Sequence, residues 1–145
     1  MSPAAQLLGN PLSEALARFP QLIVPEPIES SPNPEARRSA TDPLGGYELL
    51  VDGAGRIDTV FVHRDCPIIA GEPFSFRTLR KALRRMFGEP ESSGEEGVFD
   101  YIGPQGAWDR YFFPTHAVHF QFQYGSSAVE LMTFMTLEMA RRVTV

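Results

Sequence analysis

Gly106-Ala-Trp-Asp-Arg-Tyr-Phe-Phe-Pro-Thr-His-Ala-Val-His-Phe-Gln-Phe-Gln-Tyr124, followed by Val129-Glu-Leu-Met-Thr-Phe-Met-Thr-Leu137, holds the single Trp and the densest run of strand-forming residues in the chain. Val118, Phe120, Phe122 and Tyr124 alternate with His119, Gln121 and Gln123. A period of two with one apolar and one polar set predicts a strand with one buried face and one wet face. Pro114-Thr-His116 and Gly125-Ser-Ser127 supply turn residues on either side, so the stretch reads as three consecutive strands.

Working outward, Tyr47 to Val51 and Arg56 to His63 are two further strand-like runs separated by Asp52-Gly-Ala-Gly55, which predicts a β-hairpin. Between the two strand regions, Ser75 can cap a helix over residues 76–87. Its apolar stripe is Leu79, Ala82, Leu83, Met86 and Phe87, its opposite side carries Arg77, Arg80, Lys81, Arg84 and Arg85, and Gly88 stands at its end. A short helix is expected from Asn10-Pro11, with Leu12, Ala15, Leu16 and Phe19 on one face and Pro20 as the stop. Residues 1–9 read as loosely packed and residues 138–145 as a short terminal segment. The Pro-rich stretch 25–43 and the acidic stretch 89–107 read as exposed loops. The second carries Glu89, Glu91, Glu95, Glu96 and Asp100 and no basic residue, although Val98 to Ile102 could dip into the sheet.

The order helix, two strands, helix, three strands suggests a repeat. An offset of 72 sets Gly53 on Gly125, Leu50 on Phe122, Ile57 on Val129, Val60 on Met132 and Val62 on Phe134. Leu12 and Leu16 match Leu79 and Leu83 less regularly. The expected architecture is therefore α+β in one domain: a single antiparallel sheet of about five strands with two helices on one face, built from a doubled α-β-β unit, its other face open to water or a partner.

The chain of 145 residues is 43% hydrophobic and carries a net charge of −5, which fits a globular protein and disfavours general nucleic-acid binding, where a basic footprint dominates. Cys66 is alone, so no internal disulfide or Cys-based zinc site is expected. The first residues lack a basic and apolar leader pattern and no long apolar run exists, so a cytoplasmic protein is expected. His63, His116 and His119 are the only histidines. The last two, if both in a strand, face opposite ways and form no chelating pair. His63-Arg-Asp-Cys66 has attractive residue types without triad geometry, and the glycines of 53–55 and 103–106 lack the rest of a nucleotide-binding loop. No catalytic residue, cofactor or metal is expected. A partner surface is the remaining candidate: Glu95, Glu96 and Asp100 of the acidic loop, nearby Trp108 and Tyr111, and the wet-face residues His119, Gln121 and Gln123.

Residues 46–63, 74–90, Trp108-Asp-Arg-Tyr111, and the runs His119-Phe-Gln-Phe122 and Met132-Thr-Phe-Met135 together resemble a family of small bacterial immunity-type proteins encoded beside polymorphic or type VI secretion toxins. The helix-then-hairpin doubling is similar to the fold of β-lactamase inhibitory proteins. The resemblance implies a non-enzymatic protein that binds a cognate toxin or effector and blocks its active site, with neither nucleic acid nor membrane as partner. An adaptor that holds a secreted effector without inhibiting it, and a small enzyme acting through His63, His116 or His119, are the alternatives from other classes.

Overall fold

The computed structural model describes residues 1–25 and 38–143. Among these, the sheet dominates. Seven antiparallel strands are hydrogen-bonded in the order β1-β2-β3-β9-β8-β7-β4, and β5 and β6 form a separate two-stranded hairpin. The strands are β1 (Ser39–Thr41), β2 (Tyr47–Val51), β3 (Ile57–Val62), β4 (Ser92–Gly94), β5 (Gly97–Phe99), β6 (Gly103–Gln105), β7 (Trp108–Phe112), β8 (His116–Phe122) and β9 (Val129–Thr136). Four short helices accompany them: α1 (Pro3–Leu7), α2 (Leu12–Arg18), α3 (Arg80–Phe87) and α4 (Leu137–Arg142). This is a mostly-β fold. It corrects the expectation of five strands carrying two helices on one face, because short segments inside both supposed loops pair with the sheet.

Two of those segments are β1, within the Pro-rich stretch, and β4, within the acidic one. They add an edge strand on each side, against β2 and β7. The remainder of the Pro-rich stretch, 26–37, lies outside the described residues. The first nine residues are not loose: Ser2 accepts a hydrogen bond from the Ala5 amide and caps α1, whose Ala4, Ala5 and Leu7 are buried. α3 starts at Arg80 rather than 76, because residues 75–78 close into a turn in which the Thr78 hydroxyl accepts from the Ser75 amide. Gly88 ends it at φ 79°, as the sequence implies.

The main core lies between one sheet face and α1, α2, α3 and a 3-10 turn at Pro67–Ile69. Leu49, Val60, Phe134, Val118 and Tyr111 line up across five neighbouring strands on that face. The opposite face is not open. The segment read as a terminal tail is α4, capped by the Thr136 hydroxyl, and it covers Ala117 and Met135. No helix among the described residues is long and apolar enough to cross a membrane.

What corresponds between the two halves is a three-stranded meander, not an α-β-β unit. β1-β2-β3 and β7-β8-β9 meet at the antiparallel β3–β9 pair, where Val60 faces Phe134 and Val62 faces Met132 about a centre at Phe61 and Thr133. Each half has one bulge, with Asp58 and Glu130 as the extra residues. The offset of 72 therefore holds for β3 and β9. It slips by one for the preceding strands, since the turn after β8 is a residue longer: Val51, not Leu50, corresponds to Phe122. A slip of one exchanges the faces of a strand, and Leu50 accordingly lies on the side away from the main core, where Phe122 is buried within it. The helices do not correspond, for Leu83 is buried while Leu79 is exposed.

Candidate functional site

The strand β7 sorts Trp-Asp-Arg-Tyr by alternation: Asp109 and Tyr111 point to the helix-covered face, Trp108 and Arg110 to the other. Asp109 is fully buried and takes two arginines from α3, one turn apart. Arg80 donates to it through Nε (3.1 Å) and Nη2 (2.9 Å), and Arg84 through Nε (3.2 Å) and Nη2 (2.9 Å). Burial works against the Asp109 carboxylate, but the hydrogen bonds from Arg84 and Arg80 outweigh it and hold its pKa below the usual range. The same bonds to Asp109 raise the pKa of both arginines. Arg80 also reaches both oxygens of Glu95 at 3.1 Å and lies over the Phe122 ring, and Arg84 pairs with Glu89 at 3.7 Å. Much of the charge on the basic side of α3 is thus spent inside the molecule.

That ladder anchors the acidic segment. Glu96 adds a second tie by accepting from the Gly125 amide at 2.8 Å. β4 closes against β7, with the Trp108 indole laid over Gly94 so tightly that a Cβ there would sit 2.1 Å from Nε1. Gly106 is held as closely on the other flank, where a Cβ would meet the Phe122 carbonyl oxygen at 1.7 Å.

From this fixed base the β5–β6 hairpin stands away from the sheet. Its strands are three residues each, paired Gly97 with Gln105 and Phe99 with Gly103. Val98, Phe99, Tyr101 and Ile102 are all exposed, Val98 and Ile102 at 68% and 69%. Val98 and Phe99 point to opposite sides of the hairpin. Tyr101 sits at the turn with a left-handed backbone, φ 69°, a conformation that is costly for a bulky residue, and its ring is fully exposed. Asp100 beside it and Glu91 before β4 make no ion pair among the described residues.

The sequence-derived contact residues separate accordingly. Glu95 and Glu96 are structural ties with exposed side chains. Asp100, at the tip, has no ion-pair partner among the described residues. Tyr111 is not a surface contact: it is buried, its hydroxyl donates to the Gly88 carbonyl, and its pKa is pushed up to about 12 chiefly by burial. The supposed wet face is corrected as well. Trp108 stacks on His119 at 5.2 Å, Arg110 Nε lies 3.3 Å from His119 Nδ1, and Gln121 donates to the Gly106 carbonyl. Only Gln123 of the three is exposed. Arg110 also donates to the Ala140 and Val143 carbonyls, tying α4 to the sheet. Burial, with Arg110 alongside, lowers the His119 pKa to about 4. His116 is not a turn residue but the buried first residue of β8, between Phe113 and Phe134. Among the described residues no cluster of three or more His, Cys, Asp or Glu could hold a metal ion.

The apolar tip is what sequence reasoning missed. Its signal was present: Val98-Phe99 between glycines 97 and 103, with a short turn, is a hairpin pattern. The surrounding carboxylates masked it as a polar loop.

No family model matches the chain, and no curated protein matches it. Two solved structures resemble it. One is an extracellular protein containing an SCP domain from Bacillus anthracis str. Ames, with a TM-score of 0.63 and 11% identity over 94% of this chain and 46% of that one. The other is a cysteine-rich secretory protein from Staphylococcus aureus subsp. aureus Mu50, with a TM-score of 0.60 and 12% identity over 92% of this chain and 44% of that one. The chain spans less than half the length of each, and at such identity the likeness concerns the fold alone.

Proposed function

We propose that this protein is a non-enzymatic binding module that docks another protein through the β5–β6 hairpin. Within that class we assign it as a cytoplasmic immunity-type protein that occludes the active site of a cognate bacterial toxin. The observation that carries the docking role is the set of four exposed apolar side chains on one short hairpin. Four exposed apolar side chains gathered on one short hairpin are uncommon on a protein with no partner, and aromatic tips are frequent interface anchors. The ion-pair ladder supports the same reading, since a pre-ordered element loses little entropy on binding. The choice of a toxin as partner is carried by the sequence resemblance and by the absence of any catalytic constellation in the sequence.

The test is to co-express the chain with the product of the adjacent gene. Growth rescue and a stable purified complex are the expected results. Export of that product without rescue identifies an adaptor instead, and absence of both rescue and complex removes the reading.

A further inference from the structure

We infer that the surface receiving the hairpin is a cleft on a protein, with an apolar floor and a rim of lysine or arginine. This rests on the docking role proposed above and specifies its partner. The first argument is geometric. Val98 and Phe99 project from opposite sides of the hairpin while Tyr101 and Ile102 occupy its turn. A flat partner could cover one side and leave the other wet. All four side chains leave water together only when the hairpin enters a cleft.

The second argument is charge. No Lys or Arg occurs between Arg85 and Arg110, and within that interval Glu91 and Asp100 have no ion-pair partner among the described residues. Burying Asp100 with the tip against a neutral surface would leave its carboxylate desolvated and uncompensated, a costly state. A basic rim compensates it, and attracts Glu91 from the far end of β4 over a longer range, which speeds encounter. The same charges repel an anionic bilayer. They also repel the like-charged hairpin of a second copy in a chain of net charge −5. The third argument is fixity: Arg80–Glu95 and Glu96–Gly125 set the angle at which the tip leaves the sheet, so Glu95 and Glu96 act as positioning residues and Asp100 as the facing charge.

The experiment measures binding kinetics of the full chain with the purified adjacent-gene product at low and high NaCl, beside vesicles of phosphatidylcholine and phosphatidylglycerol. Tyr101→Ala with Ile102→Ala is expected to speed dissociation by about 100-fold. Glu91→Lys with Asp100→Lys is expected to slow association by about 10-fold and to remove its decrease with salt. Thermal melts check that both variants fold, which their exposed positions favour. If the unaltered chain binds but both pairs leave the affinity within about twofold, another surface is the interface; the inference falls while the docking protein stands. Loss on the apolar pair with no effect of charge or salt overturns the basic rim. Vesicle binding by the unaltered chain overturns a protein cleft. No binding of the adjacent product removes the functional reading and the inference together.

Discussion

The base and the tip of the segment between α3 and β7 treat their side chains in opposite ways. At the base, Asp109 is buried against Arg80 and Arg84, and Arg80 reaches out to hold the exposed Glu95. At the tip, a few residues further on, Val98, Phe99, Tyr101 and Ile102 are exposed and outside the core. Folding accounts for the base, because a buried carboxylate held by two guanidiniums is stabilising only while the set is complete. Folding does not account for the tip, which contributes little apolar burial to the core. The difference separates a part that holds a direction from a part that is presented.

Substitutions at the two places should therefore move different observables. Asp109→Ala has the largest expected effect. It removes the buried anion that both guanidiniums bond and leaves Arg80 and Arg84 only the exposed Glu95 and Glu89, and denaturant unfolding should show a loss of about 3–5 kcal/mol. An unchanged midpoint would mean that the ladder does not hold the base.

The reverse side of the base is read by pH. His119 has its pKa lowered from 6.5 to about 4, by burial first and then by Arg110. The unfolded chain takes up a proton near pH 6.5 that the folded chain refuses until about 4. Stability is therefore fully present above that window and falls as pH drops through it, by up to about 3 kcal/mol. His116, also lowered by burial, acts in the same direction. Melting temperatures between pH 7 and 4 should fall, and His119→Gln should remove most of the slope, leaving the share of His116. Below that window the lowered pKa of Asp109 works alike, its stabilisation being lost as pH falls below the ordinary carboxylate range.

Gly106→Ala comes next. Its Cβ would meet a backbone oxygen rather than a flexible side chain, so the β8 end must shift and strain the Phe122 amide bond to Ala107. A loss of about 1–3 kcal/mol is expected in the same unfolding measurement. The smallest change in stability belongs to the tip. Tyr101→Gly relieves the left-handed backbone and should leave stability unchanged or raised by no more than about 1 kcal/mol. Partner binding should fall at the same time. A variant there that lost both together would erase the distinction between base and tip.

Local patterns made much of the fold legible. The apolar side of β8 from Val118 to Phe122, the β2–β3 turn and the Gly88 stop each depend on nearest neighbours, and each is in place, whereas Tyr124, read on that same side, lies beyond the strand and is exposed. The missed strands β1 and β4 are three residues each, too short for a period to declare itself, and their pairing energy comes from β2 and β7. α4 was missed for a related reason: six residues are too few to form a helix alone, and Arg110 and the second sheet face hold it. His119 and Gln121 read as wet because their neighbours in sequence alternate with core residues. What encloses them, Trp108 and Arg110, arrives from the neighbouring strand.

By itself the sequence determined where chain direction reverses, which residues alternate in the central strands, and that acidic charge gathers between α3 and β7. These are properties of short windows, set by backbone sterics and the period of side chains. Only the tertiary structure decided which of those charges are used. Asp109 and α3 are remote in sequence, and bringing them together ties Glu95 to the base and leaves Asp100, beside an apolar tip, with no ion-pair partner among the described residues. Whether a carboxylate is a strut or a contact depends on what is folded against it, and no local pattern carries that information.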